Sequence, residues 1–110
     1  MKYKGYQINP VEIESVIESI EGVELASVVG IPDSVCTNLP AAVVVKRDGF
    51  DDLTEQFIID YVAEKLPEHH QLHGGVYFVD ELPMTQNGEI QKRFVKVIAI
   101  REYNQKLDSN

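Results

Sequence analysis

Leu39-Pro40-Ala41-Ala42-Val43-Val44-Val45-Lys46 is apolar up to its last residue. A β-branched run without polar alternation predicts a strand covered on both faces, with Pro40 at its start. Such a strand belongs in a sheet with helices packed on it. Upstream, Val23 to Ile31 contains Ala26-Ser27-Val28-Val29 and stops at Gly30 and Pro32-Asp33, the pattern of a second buried strand. Downstream, Gly75 to Val79 reads as a third, ended by Pro83 after the run Val76-Tyr77-Phe78-Val79.

Three helices fill the remaining space. Asn9 is a good N-cap, Pro10 suits the first helical position and Glu12 completes a capping-box spacing. The core stripe of this helix is Ile13, Val16, Ile17 and Ile20, Gly22 stops it, and Glu12, Glu14, Glu18 and Glu21 fall on other faces as solvated charge. Thr54 caps a second helix, with apolar positions Phe57, Ile58, Tyr61, Val62 and Leu66, which Pro67 closes. A third is expected from about Ile90 to about Tyr103, on the spacing of Ile90, Phe94, Val97, Ile98 and Arg101. The order helix, strand, strand, helix, strand, helix predicts one α/β (α+β) domain over residues 1–110. Its expected form is a small mixed three-stranded sheet with about three helices packed on it, plus a short N-terminal ribbon.

With 110 residues, one cysteine and a formal net charge of −8, the chain can build a core without disulfide staples. Eighteen acidic against ten basic side chains repel nucleic-acid backbones and acidic membranes. No apolar run is long enough to span a bilayer, and Met1-Lys2-Tyr3-Lys4-Gly5 lacks a signal-peptide stretch. The expected setting is intracellular, cytoplasmic by preference, with no nucleic-acid partner and no membrane span.

Several groups invite a chemical reading. His69, His70 and His73 sit beside Glu68, but Pro67 and Gly74-Gly75 bracket them in a loop and no further ligand pair completes a metal set. No metal site is expected, and the loop reads as solvent-facing. Cys36 has no neighbouring base in sequence, and neither a Walker loop nor a dinucleotide fingerprint is present. Two segments stand out. Lys2-Tyr3-Lys4-Gly5-Tyr6-Gln7 alternates cations and aromatics around a glycine, so its backbone can approach a ligand while Lys2 and Lys4 meet negative charge. Leu82-Pro83-Met84-Thr85-Gln86-Asn87-Gly88-Glu89-Ile90 is a strand exit and tight turn that holds Glu89 at an elbow before a helix. Read alone, each is also an ordinary surface feature: an amphipathic edge strand and a turn with a solvated glutamate.

Taken together, these segments resemble one family. Lys2 to Gln7, Pro10-Val11-Glu12-Ile13-Glu14, Val28-Val29-Gly30-Ile31-Pro32-Asp33, Leu39-Pro40-Ala41-Ala42-Val43-Val44, Gly74-Gly75-Val76 with Phe78-Val79-Asp80-Glu81-Leu82-Pro83, and Thr85-x-x-Gly88 are similar, in this order, to the C-terminal lid of the adenylate-forming enzymes. That superfamily includes acyl-CoA synthetases, 4-coumarate–CoA ligases and beetle luciferases. The resemblance implies a two-step ligase in which a carboxylic acid and ATP form an acyl-adenylate, and a thiol, usually of coenzyme A, then displaces AMP. It also implies that the lid turns between the two steps about a hinge at its N-terminal edge. The expected partners are an N-terminal adenylation domain, which holds the nucleotide and Mg2+, a carboxylic acid and coenzyme A. The fragment alone is expected to carry no cofactor and to catalyse nothing.

By the same resemblance, Lys2 is the second-step side chain, and Tyr3, Lys4, Gly5, Tyr6 and Gln7 face coenzyme A or the acyl-adenylate. Thr85 and Gly88 belong to the first-step loop, where the family carries a lysine directly after the glycine. Here that residue is Glu89, which implies weak or lost adenylation. Lys92, three residues on, is poorly placed to substitute. The histidines also depart from the family, which commonly has lysine or arginine before the Gly-Gly. A peroxisomal address of the Ser-Lys-Leu type is lacking, since the chain ends Asp108-Ser109-Asn110. Two further readings stay open: a non-catalytic binding or regulatory module descended from the lid, and an engineered glutamate in an otherwise active ligase.

Overall fold

A computed structural model describes residues 1–109. Two short strands, β1 (Lys2–Tyr3) and β2 (Tyr6–Gln7), precede helix α1 (Pro10–Glu18). A long hairpin of β3 (Val23–Asp33) and β4 (Thr37–Lys46) follows, then helix α2 (Glu55–Lys65), a 3-10 turn (Glu68–His70), strand β5 (Gly75–Phe78) and helix α3 (Lys92–Asp108). The expected fold class is the one observed, with one correction to the sheet. It has five strands rather than three, because β1 and β2 pair with each other and Tyr3 of β1 bridges Thr37 of β4.

Strand β4 is the centre. It runs antiparallel to β3 from Asp33↔Thr37 to Val23↔Lys46 and parallel to β5 from Ala41↔Gly75 to Val44↔Phe78. Leu39 through Val45 are all buried, as a strand covered on both faces requires. Helices α1 and α2 pack on each other and on the sheet, and α3 packs across β3, β4 and β5. The core joins Ile13 and Ile17 of α1, Ile58 and Val62 of α2, and Val95 and Ala99 of α3 to the strand residues.

Both helix caps read from the sequence form. Asn9 Oδ1 accepts from Val11 N at 3.1 Å, and Thr54 Oγ1 accepts from Phe57 N at 3.0 Å. The far ends differ. Helix α1 closes on Ser19 rather than at Gly22, which instead packs against the Phe50 ring. Helix α3 begins at Lys92, because Ile90 is held in an antiparallel bridge to Met84, and it runs on to Asp108. The expected apolar stripe of α3 is used in part: Ile90 and Ile98 pack against the core, Phe94 and Val97 lie exposed, and Val95 with the small Ala99 is fully buried. Phe57 of α2 is likewise half exposed.

The carboxylates of α1 are not simply solvated. Strand β3 is a sheet edge, and an edge leaves backbone groups unpaired. Glu14 Oε2 accepts from Val28 N at 2.8 Å and Glu18 Oε2 from Ala26 N at 3.3 Å. Lys92 donates to Val28 O at 2.9 Å and also to Glu14 Oε2. Two acidic side chains and one lysine thus close the edge that the backbone leaves open.

Candidate functional site

Two chain segments with chemistry-bearing tips sit at opposite ends of β4. Tyr3 pairs with Thr37, the first residue of that strand. The base of the other segment, Leu82 to Met84 with Gln91, lines a surface cleft of about 530 Å³ with Val45, Leu25 and Glu24, at the far end. Strand β4 has 10 residues, and nine rises of ~3.3 Å separate those ends by about 30 Å.

The N-terminal segment is a two-residue hairpin. Tyr3 opposes Tyr6 and Lys2 opposes Gln7, so Lys4 and Gly5 form the turn. Their φ values of 49° and 85° are those of a type I′ turn, which matches strand twist and which a lysine adopts only under constraint. The constraint is visible: Lys4 N donates to Cys36 O at 2.9 Å, Ile8 N to Met1 O at 2.7 Å, and Asn38 Nδ2 to Lys2 O at 3.1 Å. Lys2, Lys4, Gly5, Tyr6 and Gln7 are exposed, while Tyr3 is buried beneath them. The hairpin therefore offers two ammonium groups, one exposed phenol and an accessible glycine backbone on a fixed base. Burial pushes the Tyr3 phenol above its ordinary range, and the Glu68 carboxylate adds to the rise.

The second segment is an elbow built mostly by backbone. Gly88 N donates to Thr85 O at 3.0 Å, Thr85 N to Glu89 O at 2.8 Å and Gln91 N to Pro83 O at 2.9 Å. Thr85 Oγ1 accepts from Glu89 N at 3.1 Å. Gly88 has φ of 84°, a conformation that side chains strain, so a glycine belongs there. None of these bonds uses the Glu89 side chain, which is exposed. Lys92, the nearest candidate for a substitute cation, is committed elsewhere through its bonds to Glu14 and Val28.

The histidine loop is where the structure departs most from the sequence expectation. It is only partly solvent-facing: Glu68 is exposed and His69 and His73 are half-buried, but His70 is 7% exposed, and its Nε2 accepts from Asn9 N at 3.4 Å. The His73 ring lies on Tyr3 with centroids 4.4 Å apart and planes 3° from parallel, and His69 lies on Tyr6 at 4.5 Å and 15°. His73 Nε2 donates to Glu68 O at 2.7 Å, and Tyr3 donates its phenol proton to Glu68 Oε1 at 3.3 Å. The sequence offers these imidazoles as metal ligands, as a solvent-facing loop and as a departure from the family's basic residues, but not as stacking partners. The available signal was two aromatic residues in the ribbon, each with a flat partner in the loop. Among the described residues, no three histidine, cysteine or carboxylate side chains converge in a way that would hold a metal ion. Nor is any helix among them long and apolar enough to cross a membrane.

Comparison with known proteins identifies the family to which the fold belongs. The AMP-binding enzyme C-terminal domain family model matches residues 12–89. The chain is 44% identical over 98 residues to a luciferin 4-monooxygenase of Nipponoluciola cruciata, covering 89% of this chain and 18% of that protein. It is 40% identical over 98 residues to a putative acyl-coenzyme A synthetase of Emericella nidulans, covering 87% of this chain and 18% of that one. Among solved structures, the Mycobacterium tuberculosis fatty acyl CoA synthetase superposes with a TM-score of 0.83 at 28% identity, over 93% of this chain and 20% of its own. The chain thus spans about a fifth of the length of these relatives. It belongs to the AMP-binding enzyme C-terminal domain family, the small C-terminal part of the luciferase and acyl-CoA synthetase type of enzyme.

Proposed function

We propose that this chain is the lid of a two-step acid–thiol ligase, and that its hairpin and elbow serve different steps. The observation that carries the reading is their separation. Two preformed loops whose bases lie towards opposite ends of β4, a strand about 30 Å long, do not readily face one active site together, and a rigid lid that turns would use them in succession. The first step joins a carboxylate to the α-phosphorus of ATP and releases pyrophosphate. In the second, a thiol attacks the acyl carbon and AMP leaves. Lys2 is the second-step side chain, with Tyr3, Lys4, Gly5, Tyr6 and Gln7 facing the acyl-adenylate and the pantetheine arm. Thr85 and Gly88 shape the first-step loop.

On this reading the parent is impaired in adenylation. A cation about 4 Å from a developing anion gains roughly 4 kcal/mol at an effective dielectric of 20, and an anion loses a similar amount. Glu89 is exposed and free to swing away, which reduces the penalty without restoring the missing attraction. On the same reading the nucleotide, Mg2+ and acid belong to an N-terminal adenylation domain.

Introducing Glu89→Lys into the full-length parent should raise ATP–pyrophosphate exchange at least tenfold, equivalent to about 1.4 kcal/mol, with a medium- or long-chain acid or a cinnamate. No rise with any acid of a broad panel would refute the electrostatic account. Lys2→Ala should spare exchange and slow thioester formation from preformed acyl-adenylate; equal loss in both assays would sink the division of labour. A second reading, a non-catalytic module descended from the lid, is favoured by the anion at residue 89. A parent reading frame without an upstream adenylation domain would select it.

A further inference from the structure

We propose that His69 and His73 are positioning residues: a two-rung imidazole clamp that sets the pose of the Lys2–Gln7 hairpin. The consequence for chemistry rests on the lid reading above, whereas the clamp itself rests on geometry. A two-residue hairpin has little hold of its own, and isolated hairpins are marginal in water. This one joins the β3–β4 hairpin through the Tyr3↔Thr37 bridge and the bonds of Lys4 N to Cys36 O and Asn38 Nδ2 to Lys2 O, none of which holds Tyr6. Its aromatic side chains both land on the same loop, Tyr3 on His73 and Tyr6 on His69. Tyr6 is 59% exposed, so the His69 ring is a principal restraint on where that phenol stands.

The loop is in turn fixed from behind. His70 stands edge-on to His69 at 4.6 Å, is buried and takes the Asn9 N–H, which ties the loop to the residue that caps α1. Glu12 Oε2 lies 3.6 Å from the same ring nitrogen. Glu68 receives the Tyr3 phenol and sits 3.4 Å from His73 Nε2. Gly74 N donates to Pro40 O at 2.8 Å, which pins the loop's far end to β4. Loop, hairpin and helix cap form one locked unit, in which the two exposed lysines project from a hairpin whose slope the imidazole planes determine.

The test is amide exchange by NMR on the 110-residue chain. Lys4 N and Ile8 N report the hairpin, and the amides of Val43 and Val44 in β4 are the internal reference. Stacked pairs of this kind bring about tenfold protection together, so His69→Ala/His73→Ala should speed exchange at Lys4 and Ile8 about tenfold while β4 stays unchanged. His69→Phe/His73→Phe, which keeps the flat rings, should return both to within about twofold of the parent chain. Unaltered hairpin exchange in the alanine variant, or failure of phenylalanine to restore it, overturns the clamp. Should the double alanine variant unfold, the single His69→Ala must show the effect at Lys4, since that ring stacks on the exposed Tyr6. In the full-length parent the alanine pair should also slow thioester formation, with recovery in the phenylalanine pair. A parent that makes no thioester refutes the lid reading and leaves the exchange result to decide the clamp.

Discussion

Removing Glu14 should cost this small domain more than removing any other surface carboxylate. The side chain is 15% exposed and its Oε2 meets two donors, Val28 N at 2.8 Å and the Lys92 ammonium. Val28 is itself 1% exposed, so Glu14→Ala strands a backbone N–H that water reaches poorly. Hydrogen bonds to charged groups contribute about 1.5–3 kcal/mol, and an unsatisfied buried donor costs about 1–3. Lys92 is 46% exposed, and for so exposed a partner the ion pair adds at most about 1 kcal/mol. The sum is roughly 2–3 kcal/mol, a large share of the 5–15 kcal/mol typical of a domain, and a Tm lower by about 10 °C or more. Urea and thermal unfolding followed by circular dichroism would measure it. Glu14→Gln keeps an acceptor and should cost about half as much, and Lys92→Met, which removes a half-exposed partner but leaves the Glu14–Val28 N bond in place, about 1 kcal/mol. A Glu14→Ala variant within about 0.5 kcal/mol of the parent chain, the usual range for surface changes, would refute the edge-closing role. So would a Lys92→Met variant that costs more than Glu14→Ala.

Two further outcomes follow from single buried groups. Burial, helped by the charges of Glu55, Tyr103 and Glu102, pushes the Tyr77 phenol from 10.0 to about 12. Between those pH values the unfolded chain ionises this tyrosine and the folded one resists, so stability present below pH 10 drains away towards pH 12. Tyr77→Phe should flatten that part of the alkaline decline in urea midpoints, and equal slopes in both proteins would contradict it. Ser27 is fully buried in β3 and its Oγ has no hydrogen-bond partner among the described residues. Ser27→Ala should therefore raise the unfolding free energy by about 1 kcal/mol, and a loss of that size would mean that the hydroxyl is satisfied in solution.

Features written in neighbouring residues were legible in the sequence, and those created by distant approach were not. Asn9 and Thr54 cap helices through bonds two and three residues long, and an unbroken apolar run marked β4 as a strand covered on both faces. The hairpin and elbow residues were legible as well, because glycine placement and charge alternation are local. The count of strands failed because Tyr3 and Thr37 meet across the fold, a pairing that no periodicity announces. Glu14 and Glu18 looked solvated because their helix face is polar. That face happens to lie over the edge of β3, and only the topology says so. Helix α3 was legible only in part because its apolar residues, from Phe94 to Ile100, fit more than one stripe; packing keeps Ile98 of the expected one and adds Val95 and the small Ala99. His70 is buried and meets Asn9 N and the His69 ring, an approach of Asn9 that no spacing in the loop foretells.

The elbow and its neighbour Lys92 differ in what it would take to change the charge presented at residue 89. The loop is held by backbone bonds and by Thr85 Oγ1, so a lysine could replace Glu89 without disturbing a single one of them. Lys92 is the opposite case. To reach the elbow tip it would have to leave Glu14 and Val28 O, reopening the edge of β3. It would also have to span a helical turn of ~5 Å in a reaction where ~1 Å of misplacement costs ~100-fold. Stability and a rescued first step therefore compete for Lys92 but not for residue 89. On the lid reading, a Glu89→Lys parent should gain pyrophosphate exchange with an unchanged melting temperature, and Lys92→Met should lower that gain only as far as it loosens the fold.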